Sequence, residues 1–272
     1  MTEYPFAQID AFAERPFEGN QACVMLMDAF LPDATLQAIA GENNVAETAF
    51  IVPAGEGRWT LRWFTPGREV PLCGHATLAT AHWLFQHHGF TGENIVFETL
   101  QSGPLTVTRA GDGRLAMDFP ATEVRETAIT PEIVDALGAR PAAMFSGGYL
   151  AALFETASDV TALAPDFGKL ARLTGADLQS GCIGCLAPGG KDGADVTSRF
   201  FAPGAKIDED PATGSWHCMV APLMAPRLGK SDLRCFQAYP GRGAWIGAEV
   251  AGTRVMLRGH AVTVIEGVFR TQ

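Results

Sequence analysis

The chain carries little positive charge. It has 20 lysine and arginine residues against 30 aspartate and glutamate residues, and its formal net charge at pH 7 is −10. The basic residues also form no stripe with aromatic side chains that could follow a phosphate backbone. The composition therefore argues against nucleic acid and anionic membrane surfaces as partners, and the charge mainly favours solubility.

Long apolar runs are also missing. No stretch approaches the roughly 18 uninterrupted apolar residues that a membrane-spanning helix needs. The N-terminal residues lack a basic region followed by an apolar segment, which is the pattern of a secretory signal. We therefore predict a cytoplasmic protein without a membrane span.

Cysteine is sparse, and the common cofactor motifs are absent. The six cysteines are scattered through a large apolar chain, where buried thiols are commoner than a disulfide framework. Cys182 and Cys185 form a lone CxxC, and His75 and His82 have no third ligand at a suitable spacing, so no metal site is predicted. Without a GxGxxG, P-loop or GxSxG motif, we expect no nucleotide cofactor and no serine nucleophile.

An internal repeat is the strongest signal in the chain. The sequence RWFTPG at Arg62–Gly67 returns as RFFAPG at Arg199–Gly204. Each copy leads through a loop to a glycine, Gly74 or Gly214, which opens a segment of small and apolar residues. The chain therefore resembles a duplicated unit.

The repeat favours two domains. With 272 residues and 47% hydrophobic composition, the chain can bury a substantial core. We predict an N-terminal half over residues 1–120, which the strand-like segment 261–272 joins, and a C-terminal half over residues 121–260. Helix starts are predicted at Leu31-Pro32-Asp33, Thr130-Pro131-Glu132 and Ala164-Pro165-Asp166.

The small-residue segments predict the fold class. Residues from His75 to Phe85 are apolar on every side, and a helix of this kind must be buried. The second copy contains Pro222, which is expected to end or kink its helix. Several short strand-like runs flank each segment. The sequence predicts an α+β fold of two pseudo-symmetric domains, each a barrel-like, mostly antiparallel sheet wrapped around a central helix.

A glycine at the start of each buried helix favours anion binding. The first N–H groups of a helix have no intrahelical partner and lie at the positive end of its dipole. The N–H groups at Gly74 and Gly214 are therefore candidates to bind a small carboxylate in a crevice between the halves. Alternatively, both glycines only allow tight packing at a strand-to-helix turn.

The two copies differ in the polar residues that precede the helix. The second loop is longer and contains Asp208, Glu209 and Asp210. We expect Asp208 and Glu209 to form an exposed acidic turn. Asp210, next to a proline, is a candidate functional residue, and Ser215 takes the position of His75.

Glu47 is a second polar difference. It enters an otherwise apolar strand, and alignment of Pro53 with Pro188 pairs it with Cys182. A carboxylate held partly out of water there would suit proton transfer near neutral pH. The alternative is a glutamate on an edge strand in contact with water.

Ordered motifs extend over nearly the whole chain. They are Asp10-Ala11-Phe12, Arg15-Pro16-Phe17-Glu18-Gly19-Asn20, Glu47-Thr48-Ala49-Phe50, Glu69-Val70-Pro71-Leu72-Cys73-Gly74-His75-Ala76-Thr77 and Glu209-Asp210-Pro211-Ala212-Thr213-Gly214-Ser215. Together they resemble the phenazine-biosynthesis PhzF-like family, which shares the diaminopimelate epimerase fold. The resemblance implies two pseudo-symmetric halves with an active site between them, and a homodimer.

The resemblance also implies a reaction. In that family a glutamate matching Glu47 moves a proton on a small cyclic carboxylic acid without a cofactor, and the best-known reaction isomerises a dihydro-hydroxyanthranilate. His75 and Asp210 would act with it as catalytic residues. The implied substrate-binding residues are Asn20, Gly74, Gly214 and Ser215.

Some features depart from the family pattern or allow another function. Trp216 stands where alanine is frequent, and residues 237–243 form an unusual late loop; either could reshape the pocket. A two-thiol epimerase would need a cysteine before each helix, but Thr213 stands where the first half has Cys73. A non-catalytic protein that binds small molecules is a further alternative.

Overall fold

The computed structural model describes residues 1–173 and 181–271, which form two compact units. The first unit comprises Met1–Asp118 and Arg258–Gln272, and the second comprises Phe119–Leu257. Within these ranges, no helix has the length and apolar character needed to cross a membrane. The predicted α+β fold class, with a mostly antiparallel sheet around a central helix in each unit, is confirmed.

The first unit contains two helices, α1 (Asp33–Asn43) and α2 (Gly74–His87). Its strands are β1 (Thr2–Ala11), β2 (Asn20–Leu26), β3 (Glu47–Gly55), β4 (Arg58–Phe64), β5 (Glu69–Val70), β6 (Asn94–Glu98), β7 (Leu105–Arg109), β8 (Leu115–Pro120) and β17 (Ala261–Thr271). β8 runs across the boundary between the units. β17 pairs antiparallel with β1 along its whole length, and residue 272 of the predicted C-terminal strand lies outside the described residues.

The second unit contains four helices in its described part: α3 (Pro131–Leu137), α4 (Ala157–Thr161), α5 (Phe167–Leu170) and α6 (Gly214–Leu228). Its strands are β9 (Arg125–Thr127), β10 (Ala143–Ser146), β11 (Leu150–Leu153), β12 (Ile183–Pro188), β13 (Val196–Phe201), β14 (Asp232–Gln237), β15 (Ala244–Ala251) and β16 (Arg254–Gly259), the last of which crosses the boundary at its end.

The predicted helix starts are confirmed. α1 begins at Asp33. Thr130 caps α3 by accepting a hydrogen bond from Ile133 N, with Pro131 at the first helical position. Asp166 caps α5 in the same way through Lys169 N, but this helix ends at Leu170.

The two units share a strand register. In the first, β3 pairs antiparallel with β4 so that Phe50 faces Arg62. In the second, β12 pairs antiparallel with β13 so that Cys185 faces Arg199. Each of β3 and β12 also pairs in parallel with the strand before it in the sheet, β2 or β11. The repeat is therefore structural as well as sequential.

α2 and α6 are the central helices. α2 packs against β1, β2, β3 and β17, while α6 packs against β12, β14 and β15. Most residues of both helices are buried, including long runs without any solvent-facing side. Alanine, threonine and glycine in these runs let the strands approach closely, as a helix enclosed by a curved sheet requires.

Of the two predictions for Pro222, an end or a kink of the second central helix, the end is wrong. α6 continues through Pro222 and Pro226 to Leu228. Proline at position 222 cannot donate a hydrogen bond to the carbonyl of Cys218. That carbonyl accepts instead from Thr122 N at 2.9 Å, so the buried acceptor is satisfied and the helix tolerates the proline.

Candidate active site

Glu47 lies at the start of β3 and meets the central helix of its unit. Its side chain is 18% exposed, and Oε2 lies 3.0 Å from Nε2 of His75. Neither of these two atoms has another hydrogen-bond partner among the described residues. The carboxylate is therefore directed at the imidazole and is not an edge-strand side chain in open water.

His75 is held from both sides of its ring. It is the second residue of α2 and is buried. Its Nδ1 lies 3.3 Å from Nδ2 of Asn20 and 3.5 Å from Sγ of Cys73. Asn20 is the first residue of β2 and is also buried. The structure thus brings together three predicted site residues, Glu47, His75 and Asn20, and adds Cys73.

Burial and charge act in opposite directions on this cluster. Burial disfavours a charged His75 ring, but the neighbouring Cys73 and Glu47 outweigh it and raise the pKa of His75 well above its ordinary value. Burial first, and Glu47 second, raise the pKa of the Cys73 thiol. Both directions follow from the burial of these three groups beside one another.

Glu47, Cys73 and His75 are also the described groups that come nearest to a metal site, since one ligand atom from each lies within 4.8 Å of the others. The imidazole contacts both neighbours. Its Nδ1 faces Cys73 and its Nε2 faces Glu47. The three side chains therefore form one contiguous polar cluster, with 3.5 Å between Nδ1 and Cys73 Sγ and 3.0 Å between Nε2 and Glu47 Oε2.

The N-terminus of α2 is a candidate anion site. Cys73 occupies the N-cap position in an extended conformation but makes no side-chain cap hydrogen bond. Thr77 Oγ1 donates to the Cys73 carbonyl at 2.6 Å, which satisfies the acceptor and leaves the first N–H groups at Gly74 without a capping side chain. These N–H groups can therefore bind a carboxylate.

Asp210 is fixed in the second unit by contacts at its backbone and side chain. Its N–H donates to Phe200 O at 2.9 Å, and its carbonyl accepts from Gln237 Nε2 at 2.6 Å. Its Oδ2 accepts from Thr213 Oγ1 at 2.5 Å. Thr213 is the N-cap of α6 and, like Cys73, makes no side-chain cap hydrogen bond to its helix.

Ser215 follows Gly214 at the start of α6 and is exposed. Its Oγ lies 2.9 Å from the hydroxyl of Tyr149, whose ring packs edge-on against Phe200 at 4.8 Å between centroids. Burial raises the pKa of Tyr149, although the contact with Ser215 opposes the change. Sequence reasoning missed Tyr149. The matching residue in the first half is Ala22, whose methyl side chain gives no indication of a functional position.

Cys182 takes the register position of Glu47 in the second unit, as the aligned prolines predicted. Its thiol is buried. Burial raises its pKa, a backbone N–H at Ala205 lowers it, and Asp210 raises it further. The position that holds a carboxylate in the first unit therefore holds a neutral thiol in the second.

The expected exposed acidic turn at Asp208 and Glu209 is half wrong. Asp208 is exposed, but the Glu209 side chain is only 7% exposed and forms two hydrogen bonds with Arg199, at 2.8 and 2.7 Å. Glu209 bridges to Phe201 as Glu69 pairs with Phe64. The extra residues of the longer loop therefore precede Glu209, and Asp210 is a substitution at the position of Val70.

Trp216 lies in the core and not at an open pocket. Its side chain is fully buried, and its ring covers Gly184, where a Cβ atom would lie 2.4 Å from Cη2 and Cζ2 of the indole. Its ring also packs against Phe200 at 5.9 Å. Tryptophan can stand at this position because Gly184 on the adjacent strand leaves space for the indole ring.

Comparison with known proteins gives consistent matches. The model of the family described as phenazine biosynthesis-like protein, PhzC-PhzF, matches residues 9–267. The chain is 45% identical over 266 residues to an uncharacterized isomerase of Pseudomonas aeruginosa, which covers 97% of this chain and 98% of that protein. The fold of the present chain matches a phenazine biosynthesis protein of the PhzF family from Enterococcus faecalis with a TM-score of 0.92 at 38% identity. The match covers 99% of this chain and 100% of that one.

A more distant match shows the fold alone. A hydroxyproline epimerase from Agrobacterium vitis, solved with trans-4-hydroxy-L-proline, has a TM-score of 0.58 at 13% identity, and the match covers 99% of this chain and 91% of that one. The architecture is therefore one that epimerases share with the PhzF proteins.

Proposed function

Because the chain belongs to the phenazine biosynthesis-like PhzC-PhzF family, we propose that it is an isomerase that moves a proton on a small cyclic carboxylic acid, with Glu47 as general acid/base and without a cofactor. The isomerase class has the support of the curated relatives' names. The substrate class and the role of Glu47 are what membership of the family implies, and the contacts of Glu47 support the role.

The contact of Glu47 with His75 carries the proposal. A general base must hold its carboxylate free of a permanent strong donor such as arginine and still be oriented. Here a single imidazole nitrogen lies 3.0 Å from Oε2. His75 can donate from Nε2 in either protonation state, so the carboxylate is oriented while it takes a proton from carbon and returns it at another carbon.

The remaining site residues are assigned to binding. The uncapped N–H groups at Gly74 and Gly214 suit the substrate carboxylate. Asp210 and Ser215 offer an acceptor and a hydroxyl on fixed backbone positions. Asn20 contacts Nδ1 of His75 and holds the ring in place.

Hydrogen exchange into substrate carbon positions tests the assignment. The purified protein is incubated in D2O with a dihydro-hydroxyanthranilate and with other small cyclic carboxylic acids, and deuterium uptake is followed by mass spectrometry. We expect uptake that Glu47→Gln lowers by about 100-fold or more, the usual contribution of a general base. Glu42→Gln, at an exposed glutamate of α1, is the matched control and should exchange like the wild type.

Other outcomes identify the alternatives. Full exchange in Glu47→Gln would refute the role of Glu47. Binding of an acid without exchange in the wild type would indicate a non-catalytic binding protein. The two-thiol mechanism predicts that Cys73→Ser abolishes exchange in a folded protein, whereas we expect this variant to remain active because the matching N-cap residue is Thr213.

A further inference from the structure

Two ion pairs with buried arginines repeat in the two units. Arg62 on β4 donates from Nε and Nη2 to both carboxylate oxygens of Glu69, at 2.7 and 2.8 Å. Arg199 on β13 donates from Nε and Nη2 to both oxygens of Glu209, at 2.8 and 2.7 Å. The arginine side chains are 9% and 6% exposed. Both pairs have the forked geometry that fixes orientation as well as distance.

Each pair stands at the same place in its unit. Glu69 pairs with Phe64 on β4, and Glu209 forms a bridge to Phe201 on β13. Each glutamate precedes the first glycine of its central helix by the same number of residues. The forks therefore attach the short segment before α2, or before α6, to the strand that carries the arginine.

Each arginine also donates a hydrogen bond to a third segment, which lies earlier in the chain of its own unit. Arg62 Nη1 donates to Oδ1 of Asp33, the first residue of α1, at 2.9 Å. Arg199 Nη1 donates to the carbonyl of Leu163 at 2.6 Å. In each unit, one guanidinium thus connects its own strand, the segment before the central helix and this third segment.

Stability alone is a poor explanation for this arrangement. Moving charged groups out of water is costly, and a well-packed apolar replacement of a buried ion pair is often neutral or stabilising. A forked pair is better suited to fixing a loop in one geometry, because guanidinium and carboxylate are both planar and bind through two parallel hydrogen bonds.

We infer that Arg62 and Glu69 are positioning residues that hold the turn at Cys73, Gly74 and His75 so that the His75 ring reaches Glu47, and that Arg199 and Glu209 hold Asp210 in the same way. The inference rests on the proposed function for its meaning, because that function makes Glu47 the proton carrier. Neither pair touches the substrate in this assignment.

His75 itself reports on the first pair. Its ring is faced by Glu47 from β3, Asn20 from β2 and Cys73 from its own turn. Cys73 and Glu47 both raise the pKa of the ring, so a displacement of the turn that moves the ring away from Glu47 changes its titration. An NMR titration of the imidazole observes folded molecules, and a simple loss of stability leaves it unchanged.

The test compares Arg62→Lys with Arg199→Lys. Lysine keeps the charge and loses the fork, and the two sites have similarly buried arginines. We expect Arg62→Lys to lower the pKa of His75 toward its ordinary value and to slow deuterium exchange by about 10- to 100-fold, the effect of a displacement near 1 Å. Arg199→Lys should slow exchange but leave the His75 titration as in the wild type.

Two results would overturn the inference. One is an unchanged His75 titration in Arg62→Lys, and the other is an equal change in both variants, which would show general loosening. If Arg62→Lys does not fold, Glu69→Asp shortens the other half of the fork and is judged by the same titration. If the wild type exchanges no tested acid, the proposed function fails, while the titration still decides the positioning role.

Discussion

The indole ring of Trp216 occupies the space that a side chain at Gly184 would need. A Cβ atom at Gly184 would lie 2.4 Å from two ring atoms of Trp216. In the first unit the same register positions hold Ala49 and Ala76. The first unit therefore has alanine at both positions, whereas the second has tryptophan at one and glycine at the other.

Gly184→Ala should be strongly destabilising, although alanine is compatible with its backbone conformation. The added methyl group meets a rigid, fully buried ring, and overpacking of this kind costs about 1 to 3 kcal/mol. In a Trp216→Ala background the same change recreates the alanine pair of the first unit and should cost little. Urea unfolding of the four proteins measures the coupling. An equal cost of Gly184→Ala in both backgrounds would contradict this account.

The contact of Glu47 with His75 predicts a pH-dependent contribution to stability. Because Cys73 and Glu47 raise the pKa of His75 above its ordinary value of 6.5, their contacts with the ring stabilise the folded state fully below that value. The contribution is lost as the pH rises through the higher pKa of the folded state, at about 1.4 kcal/mol for each pH unit that separates the folded and unfolded pKa values. Glu47→Gln should therefore be less stable than the wild type near pH 6, and the difference should shrink toward alkaline pH.

Urea unfolding over a pH series measures that difference, with Glu42→Gln as the exposed control. A stability gap between wild type and Glu47→Gln that stays constant or widens with rising pH would contradict the assignment of His75 as the charged partner. Direct titration of the His75 imidazole by NMR gives an independent check on the same variants.

The fold class could be predicted because its evidence is local and occurs twice. The arginines at positions 62 and 199 and the prolines at positions 53 and 188 mark one register, and the structure shows that register in both units. It also makes Cys182 the counterpart of Glu47. The small residues of α2 predicted a buried helix without any knowledge of its neighbours.

The errors came from partners distant in sequence. Pro222 is tolerated because Thr122 supplies the missing donor. Glu209 is buried because Arg199 pairs with it. Neither partner is visible in the local pattern around the residue concerned. The site residues proposed from the sequence stay predictions, but the structure groups Glu47, His75 and Asn20 by side-chain contact.

Tyr149 is the site neighbour that the sequence did not reveal, and its hydroxyl should matter through Ser215. Tyr149→Phe and Ser215→Ala each break the 2.9 Å contact between the two hydroxyls. If Ser215 binds substrate as proposed, each change should weaken exchange activity by about 10-fold or less, the value of one hydrogen bond. The double variant should be no worse than the more impaired single variant. Additive losses would show that the hydroxyls act independently, and Tyr4→Phe on β1 is the control for loss of a tyrosine hydroxyl.

The buried His217 should make the second unit sensitive to acid. Its ring is fully buried in α6, Nδ1 donates to the Thr213 carbonyl at 2.9 Å, and Nε2 has no partner among the described residues. Burial lowers its pKa from 6.5 to about 4, although the bond to Thr213 opposes the change. The unfolded chain therefore binds a proton at mildly acidic pH while the folded chain does not, and stability falls as the pH drops below 6.5. The expected loss between pH 7 and pH 5 is about 2 kcal/mol from this group.

His217→Thr isolates that effect. The matching residue in the first unit is Thr77, whose hydroxyl donates to the Cys73 carbonyl, so threonine can satisfy the same carbonyl in α6. The smaller side chain should lower stability at pH 7 because it leaves a cavity. It should also remove about 2 kcal/mol of the acid-induced loss between pH 7 and pH 5, measured by urea unfolding at both values. A variant that loses as much stability as the wild type over this range would show that His217 takes up a proton without unfolding.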